Sequence, residues 1–332
     1  MNTRGPMFTL AELEAAADLV HAQMPPTPTH AWPLLAKRMG AEVWVKHENH
    51  TAIGAFKVRG GIVYMDELKR TQPKVLGVIT ATRGNHGQSI ARAATAAGLQ
   101  ATILVPFGNS VEKNRAMRAF GAELIEFGAD FDEAKGEAAR LSRERNLHLV
   151  PSFHPALVKG VATYALELFK QAPPLDAVYV PIGMGSGICG MIAARDLLGL
   201  DTRIVGVVAE AAPAYALSFA AGHPVPTNSA RTFADGMAVR EPHPEAVAII
   251  RRGAADVVRV SEDAIAEAMR AYYEDCHTLA EGAGAAPLAA ALAAASKAGT
   301  RGPSQRIALV LSGGNIDRPV YAEVIGGRTP VV

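Results

Sequence analysis

Lys57 is the residue of this sequence best placed to do chemistry. It lies in Ala55-Phe56-Lys57-Val58-Arg59-Gly60, between an aromatic ring and a small-residue turn. Ahead of it, Ala41–Glu48 alternates like a strand and Asn49–Gly54 has turn composition, so the spacing predicts the lysine near the start of a helix. An ammonium held there among apolar neighbours is disfavoured by desolvation and by the positive end of the helix dipole. A lysine amine with its pKa lowered in this way is what Schiff-base chemistry needs. The plainer alternative is a surface lysine whose stem lies on Phe56.

Three further loops share this placement after a strand. In Thr80–Gln88, Gly84 and Gly87 let backbone N–H groups converge on an anion at a helix start, and Asn85 can donate and accept beside a ligand. A structural turn is the alternative. In Val180–Gly190, a strand runs into Gly183-Met184-Gly185-Ser186-Gly187 and then a helix, the arrangement of a phosphate cradle. Gly185, Gly187 and Gly190 also spell G-x-G-x-x-G, and Glu210 ends the next strand about 20 residues on, where a dinucleotide fold places its ribose-binding acid. An NAD(P)-dependent oxidoreductase is therefore a competing reading. In Leu311–Asn315, Ser312 is followed by two glycines and can reach into a site, or can simply leave the strand.

The elements that must position these loops alternate along the chain. Strand patterns at Val75–Thr80, Gln100–Pro106, Ala122–Phe127, Ala177–Ile182, Ile204–Ala209 and Ile307–Leu311 are interleaved with helical ones. The helical stretches are Gln88–Ala97, Val111–Phe120, Phe131–Arg145, Ile188–Leu198, Ala214–Ala220, Ala264–Cys276 and Ala286–Lys297. Such alternation predicts an α/β fold of open, mostly parallel sheets flanked by helices, with ligands at the carboxyl ends of the strands. At 332 residues there is room for two domains.

Composition narrows the function classes. Hydrophobic residues make up 49% and charged residues 20%, which describes an ordered globular chain. The net charge of +1 without a basic stripe argues against nucleic acid as the main partner. Cys189 and Cys276, both in predicted helices, suit a reducing compartment. Met1–Met7 lacks the apolar core of a signal peptide, Thr9–Glu12 looks like a capping box, and no apolar run reaches spanning length. A cytoplasmic protein without a membrane partner is expected.

Taken together and in this order, the four loops resemble those of the pyridoxal-phosphate enzymes of the tryptophan-synthase-β fold type (fold type II). The nearest branch is the serine/threonine dehydratases, with the similar serine racemases beside it. The resemblance runs from the Pro26–Thr29 region to Asn315. It implies that Lys57 carries pyridoxal 5'-phosphate as a Schiff base and then removes the substrate Cα proton. Backbone N–H groups of Gly183, Met184, Gly185, Ser186 and Gly187 would hold the phosphate, with Met184 and Ser186 standing where relatives usually have glycine. Asn85 would bond the ring hydroxyl, Phe56 would flank the ring, and Thr82, Arg83, Gly84 and His86 would meet the substrate carboxylate. Ser312 would face the pyridine nitrogen. A neutral hydroxyl cannot keep that nitrogen protonated as an aspartate would, which weakens the ring as an electron sink and favours loss of a Cβ leaving group. The implied reaction turns a 3-hydroxy amino acid into a 2-oxo acid and ammonia.

The resemblance also implies a small mobile domain at residues 68–152 within a larger one made of 1–67 and 153–332, and a homodimer. Without a regulatory extension after Asn315, a catabolic enzyme fits better than a biosynthetic one. Arg83 stands where the racemases are expected to have a serine acid/base, and a guanidinium is a poor proton shuttle. It either meets an extra anionic group on the substrate or points outward. Glu210 is only the remnant of a divalent-ion site, because Ala216 replaces the acid six positions on. Racemisation and β-replacement are the alternatives within the fold, and the substrate side chain (serine, threonine, 3-hydroxyaspartate or phenylserine) stays open.

Overall fold

The computed structural model describes residues 6–298 and 305–331; residues 1–5, which begin the N-terminal stretch read above, lie outside the described residues. In chain order the elements are α1 (Leu10–His21), β1 (Thr29–Ala31), α2 (Pro33–Met39), β2 (Glu42–His47), α3 (Lys57–Thr71), β3 (Gly77–Ala81) and α4 (Asn85–Ala96). Then come β4 (Gln100–Val105), α5 (Val111–Ala119), β5 (Glu123–Glu126), α6 (Phe131–Glu144), β6 (His148–Leu149), α7 (Pro155–Gln171) and β7 (Ala177–Pro181). The chain continues with α8 (Ser186–Leu197), β8 (Arg203–Ala209), α9 (Ala214–Ala221), α10 (Pro244–Gly253) and β9 (Asp256–Val260). It closes with α11 (Glu262–Cys276), α12 (Gly282–Ala298), β10 (Arg306–Leu311) and α13 (Arg318–Ile325).

The strands make two sheets. The larger has the order β1-β2-β10-β7-β8-β9 and is parallel except where β1 runs antiparallel to β2. The smaller, β5-β4-β3-β6, is parallel throughout. Side chains alternate across each sheet, so successive residues of β10 enter different cores: Ala308 and Val310 on one face, Ile307, Leu309 and Leu311 on the other. In β4, Ile103 and Val105 likewise oppose Leu104. Sheets with both faces covered explain the nearly continuous apolar strands, and the α/β architecture expected from the sequence is the one found.

The capping box at Thr9 and Glu12 is formed: Thr9 Oγ1 accepts from Glu12 N–H, and Glu12 reaches back to the Thr9 N–H at 2.7 Å. Other elements depart from expectation. Helix α4 begins at Asn85 and α8 at Ser186, earlier than the apolar periodicity indicates, because glycine and polar residues open both helices. No element was expected between 146 and 176, yet α7 fills Pro155–Gln171, with His154 accepting from Ala156 N–H and Pro155 in the first turn. Most of α7 is buried, so it shows no amphipathic stripe to read.

The four loops leave the carboxyl ends of β2, β3, β7 and β10. Strands β2, β10 and β7 are adjacent in the larger sheet, and β3 belongs to the smaller one, so the four loops come from the carboxyl ends of both sheets.

Candidate active site

The four loops are bonded to one another. Phe56 N–H donates to Ser312 O at 3.0 Å and Gly314 N–H to Gly54 O at 2.9 Å, with a bridge between Ala55 and Gly313, which joins the first loop to the fourth. Lys57 Nζ donates to Ser186 Oγ at 2.7 Å, joining the first to the third. Ser89 Oγ donates to Lys57 O at 2.5 Å, and Asn315 Nδ2 to Asn85 Oδ1 at 2.8 Å, which brings in the second.

They enclose a cavity of about 500 Å³. Phe56 and Lys57 line it, as do Thr82, Arg83, Gly84, Asn85 and His86, the stretch Gly183–Gly187, and Ser312. Every residue assigned a cofactor or substrate contact in the four loops is therefore on one wall or another, whereas Gly87 and Gly190 do not line the cavity. Neither does Glu210: it is exposed after β8, which leaves the dinucleotide pattern without its acid at the glycine loop.

Lys57 is the first residue of α3, and its Nζ sits 4.8 Å from the Phe56 ring centroid inside the cavity rather than on the surface. Burial lowers its amine to about 8, so a useful neutral fraction exists near neutral pH. His86 is driven down to about 3, by burial first and then by Lys57, and is a neutral imidazole. Thr82 Oγ1 accepts from the N–H groups of Gly84 and Gly87 at 2.9 and 3.2 Å, so its hydroxyl shapes the turn. Arg83 is exposed and has no ion-pair partner among the described residues.

The third loop is built as an anion cradle. Gly185 takes φ +96° at the N-cap of α8, where a side chain would be strained, and a Cβ at Gly183 would come within 2.2 Å of Gly236 O. The first helical bond of α8 is Cys189 N–H to Gly185 O, so the N–H groups before it lack helix partners. Tyr215 Oη donates to Met184 O at 3.0 Å and Tyr164 Oη to Gly187 O at 2.9 Å. With those carbonyls drawn back toward the tyrosines, the following N–H groups point the opposite way, as planar trans peptides require. A phosphate fits this cradle, and a planar ring fits between it, Phe56 and Ser312; the donor set thus suits pyridoxal 5'-phosphate.

Among the charged residues of the cavity wall that carry no motif, three sit together: Lys113 on α5, Asp235 in a short helical turn, and Glu281 just before α12. Lys113 Nζ lies 2.5 Å from Asp235 Oδ2 and 3.6 Å from Glu281 Oε2. Burial raises the Glu281 carboxyl to about 7 against the opposing pull of Lys113. The one sequence cue to Glu281 is its position as the only charge at the mouth of an alanine-rich apolar helix.

Comparison with known proteins agrees with this geometry. The chain is 35% identical over 292 residues to the biosynthetic L-threonine dehydratase of Escherichia coli, covering 88% of this chain and 56% of that protein. It thus spans about half the length of that relative. It is 30% identical over 321 residues to the L-threo-3-hydroxyaspartate ammonia-lyase of Saccharomyces cerevisiae, covering 96% and 97% of the two chains. The solved structure of maize serine racemase superposes with a TM-score of 0.88 at 27% identity, over 96% of this chain and 97% of that one. The family described as "Pyridoxal-phosphate dependent enzyme" matches residues 21–313. A match of that extent, falling on a cavity with the donors such a cofactor needs, places this chain among the pyridoxal-phosphate dependent enzymes.

Proposed function

We propose that the protein is an ammonia-lyase that dehydrates a 3-hydroxy amino acid, such as threonine or serine, to a 2-oxo acid and ammonia. The observation that carries this reading is the pairing, across one cavity, of the Lys57 amine with the neutral hydroxyl of Ser312. When bound, pyridoxal phosphate draws electron density from the substrate Cα and so acidifies its proton. Lys57 Nζ would hold the cofactor and serve as the base that takes that proton. The N–H groups of Gly183–Gly187 hold the phosphate, Asn85 holds the ring oxygen, and Phe56 flanks the ring. The turn Thr82–His86 receives the substrate carboxylate at the start of α4. Ser312 withholds a proton from the ring nitrogen, which favours departure of the Cβ hydroxyl. The water lost from Cβ is regained when the released enamine hydrolyses, so threonine yields 2-oxobutanoate and ammonium. The E. coli and yeast relatives, both named for eliminations of this class, support the assignment.

Racemisation is the second reading, favoured by the likeness to maize serine racemase. Arg83 weighs against it, because an always-protonated guanidinium cannot serve as the acid/base opposite Lys57. The proposal extends to architecture: residues 68–152 form a small domain that closes over substrate, with Lys113–Asp235 and Arg240 with Asp130 and Asp132 pairing across the gap. A cytoplasmic homodimer is what the family resemblance implies, and the two buried free cysteines suit a reducing compartment.

A panel of 3-hydroxy amino acids, with 2-oxo acid measured and no thiol present, tests the assignment. Formation of 2-oxo acid without a second substrate is the expected result. Inversion at Cα without 2-oxo acid would establish a racemase, and product only with a thiol would establish β-replacement.

A further inference from the structure

The Asn85 amide is held at both ends. Its Nδ2 donates to Glu281 Oε1 at 2.7 Å, and its Oδ1 accepts from Asn315 Nδ2 at 2.8 Å. Asn315 is itself oriented, because its Nδ2 also donates to Ile53 O at 2.7 Å. A carboxylate accepts and an amide nitrogen donates, so the Asn85 oxygen must face Asn315 and its nitrogen Glu281. One of its two N–H bonds is used by Glu281. The other is left for a ligand in the cavity that Asn85 and Glu281 both line.

Glu281 is built for more than packing. It is buried, and its own N–H donates to Gly313 O at 3.0 Å, next to Ser312. Its Oε2 has no hydrogen-bond partner, and Lys113 at 3.6 Å is beyond good hydrogen-bond range. A buried carboxyl oxygen left so is costly unless something in the site uses it. Lys113 comes from the helix after β4, whereas Asp235 and Glu281 belong to the segment between β8 and β10, so this cluster spans the two sheets.

We propose that Glu281 is a positioning residue for the cofactor: with Asn315 it clamps the Asn85 amide so that one N–H faces the ring oxygen, and through Lys113 it ties the clamp to the approach of the smaller sheet. This rests on the reading of the cavity as a pyridoxal-phosphate site. The carboxyl is raised to about 7 by burial against Lys113, so its charge depends on that lysine, with Asp235 the other charged group beside it and Asp317 acting on Lys113.

The test is cofactor binding rather than turnover. Wild type, Glu281→Ala, Glu281→Gln and Asn315→Ala are reconstituted with pyridoxal phosphate, and the visible spectrum and dissociation constant are recorded. Borohydride trapping at Lys57 serves as the control for the cofactor reading. Glu281→Ala and Asn315→Ala, which each open one end of the clamp, should bind about tenfold more weakly and shift the visible band. Glu281→Gln keeps an acceptor for Asn85 and should restore the wild-type band and affinity. Should Glu281→Ala fail to fold, Asn315→Ala decides alone. Trapping at Lys57 throughout, with wild-type spectrum and affinity in both alanine variants, overturns the clamp while leaving the cofactor site standing. Equal losses in Glu281→Gln and Glu281→Ala overturn it too, since charge rather than amide geometry would then matter. No trapping at Lys57 in wild type removes the cofactor reading and the proposal with it.

Discussion

Lys57 Nζ lies 2.7 Å from Ser186 Oγ, so the amine of the first loop is held against the N-terminus of the helix that carries the glycine cradle. The two residues are 129 positions apart, and their contact depends on β2 and β7 both flanking β10 in one sheet.

This relationship makes Lys57 reactivity testable by pH. Burial sets the amine at about 8, below the ordinary lysine value, so the nucleophilic neutral form grows as pH rises through about 8. Capture of pyridoxal phosphate by the cofactor-free protein, followed by the visible absorption, should accelerate through that region and level off above it. Lys57→Ala should give no band, no borohydride-fixed adduct and no turnover. A band of normal intensity in Lys57→Ala would assign the anchor to another residue.

Ser312 is buried, and its carbonyl pairs with Phe56 N–H, so its position relative to Lys57 is fixed by backbone. Ser312→Asp would offer the ring nitrogen an acidic partner, strengthen the electron sink and raise abortive transamination relative to elimination. Ser312→Ala, which keeps the nitrogen without a proton, should be milder than Lys57→Ala. Product analysis after prolonged turnover decides: an unchanged ratio in Ser312→Asp would show that this side chain does not tune the ring.

Much of this site was legible in the sequence because strand-end loops rich in glycine have few uses. Phe56, Lys57, Asn85, Gly183–Gly187 and Ser312 lie in four stretches whose local chemistry stands out without any tertiary knowledge, and all four converge on one cavity. Glu281 and Lys113 had no such signal. Each is an ordinary charged residue in a helical neighbourhood, and its burial arises where α5 of one sheet's segment meets the residues before α12 of the other's. Helix α7 escaped for the converse reason: burial on nearly all sides erases the periodicity that marks a surface helix. The order of the larger sheet, with β10 inserted between β2 and β7, is likewise a long-range property that no local pattern encodes.

Arg83 is exposed on the turn between β3 and α4, and it shares the cavity wall with Lys135 and Arg231, which also lack ion-pair partners among the described residues. A guanidinium there can take a second carboxylate of the substrate through a bidentate pair. Losing such a contact typically weakens binding about ten- to a hundred-fold. Arg83→Ala should therefore penalise 3-hydroxyaspartate far more than threonine, read as the ratio of the two kcat/KM values. It should not create racemisation, since alanine supplies no acid or base. Equal losses on both substrates would reduce Arg83 to a prop for the loop.

Two residues beyond Lys57 in the same helix, Arg59 anchors α3 through a fully buried ion network. Its Nε donates to Glu48 at 2.7 Å and its Nη1 to Glu167 at 2.6 Å, while Lys46 Nζ reaches Glu167 at 2.6 Å. Two buried cations face two carboxylates, with the part-exposed His21 Nε2 also 2.7 Å from Glu167 Oε1, so removal of one buried partner leaves an uncompensated charge, a change that costs roughly 3–5 kcal/mol. Glu167→Gln should lower stability by about that amount at neutral pH and loosen the helix that presents Lys57. Burial alone would raise the Glu167 carboxyl, but Arg59 and Lys46 outweigh it and hold the group at about 2, against an ordinary 4.5. A carboxyl depressed by folding stabilises fully above its unfolded value and loses that contribution as pH falls from about 4.5 toward 2. Wild type should therefore lose stability through this window more steeply than Glu167→Gln, and the two denaturation midpoints should converge in acid. A gap between them that stays constant from neutral to acid pH would mean that the Glu167 charge adds nothing to the fold.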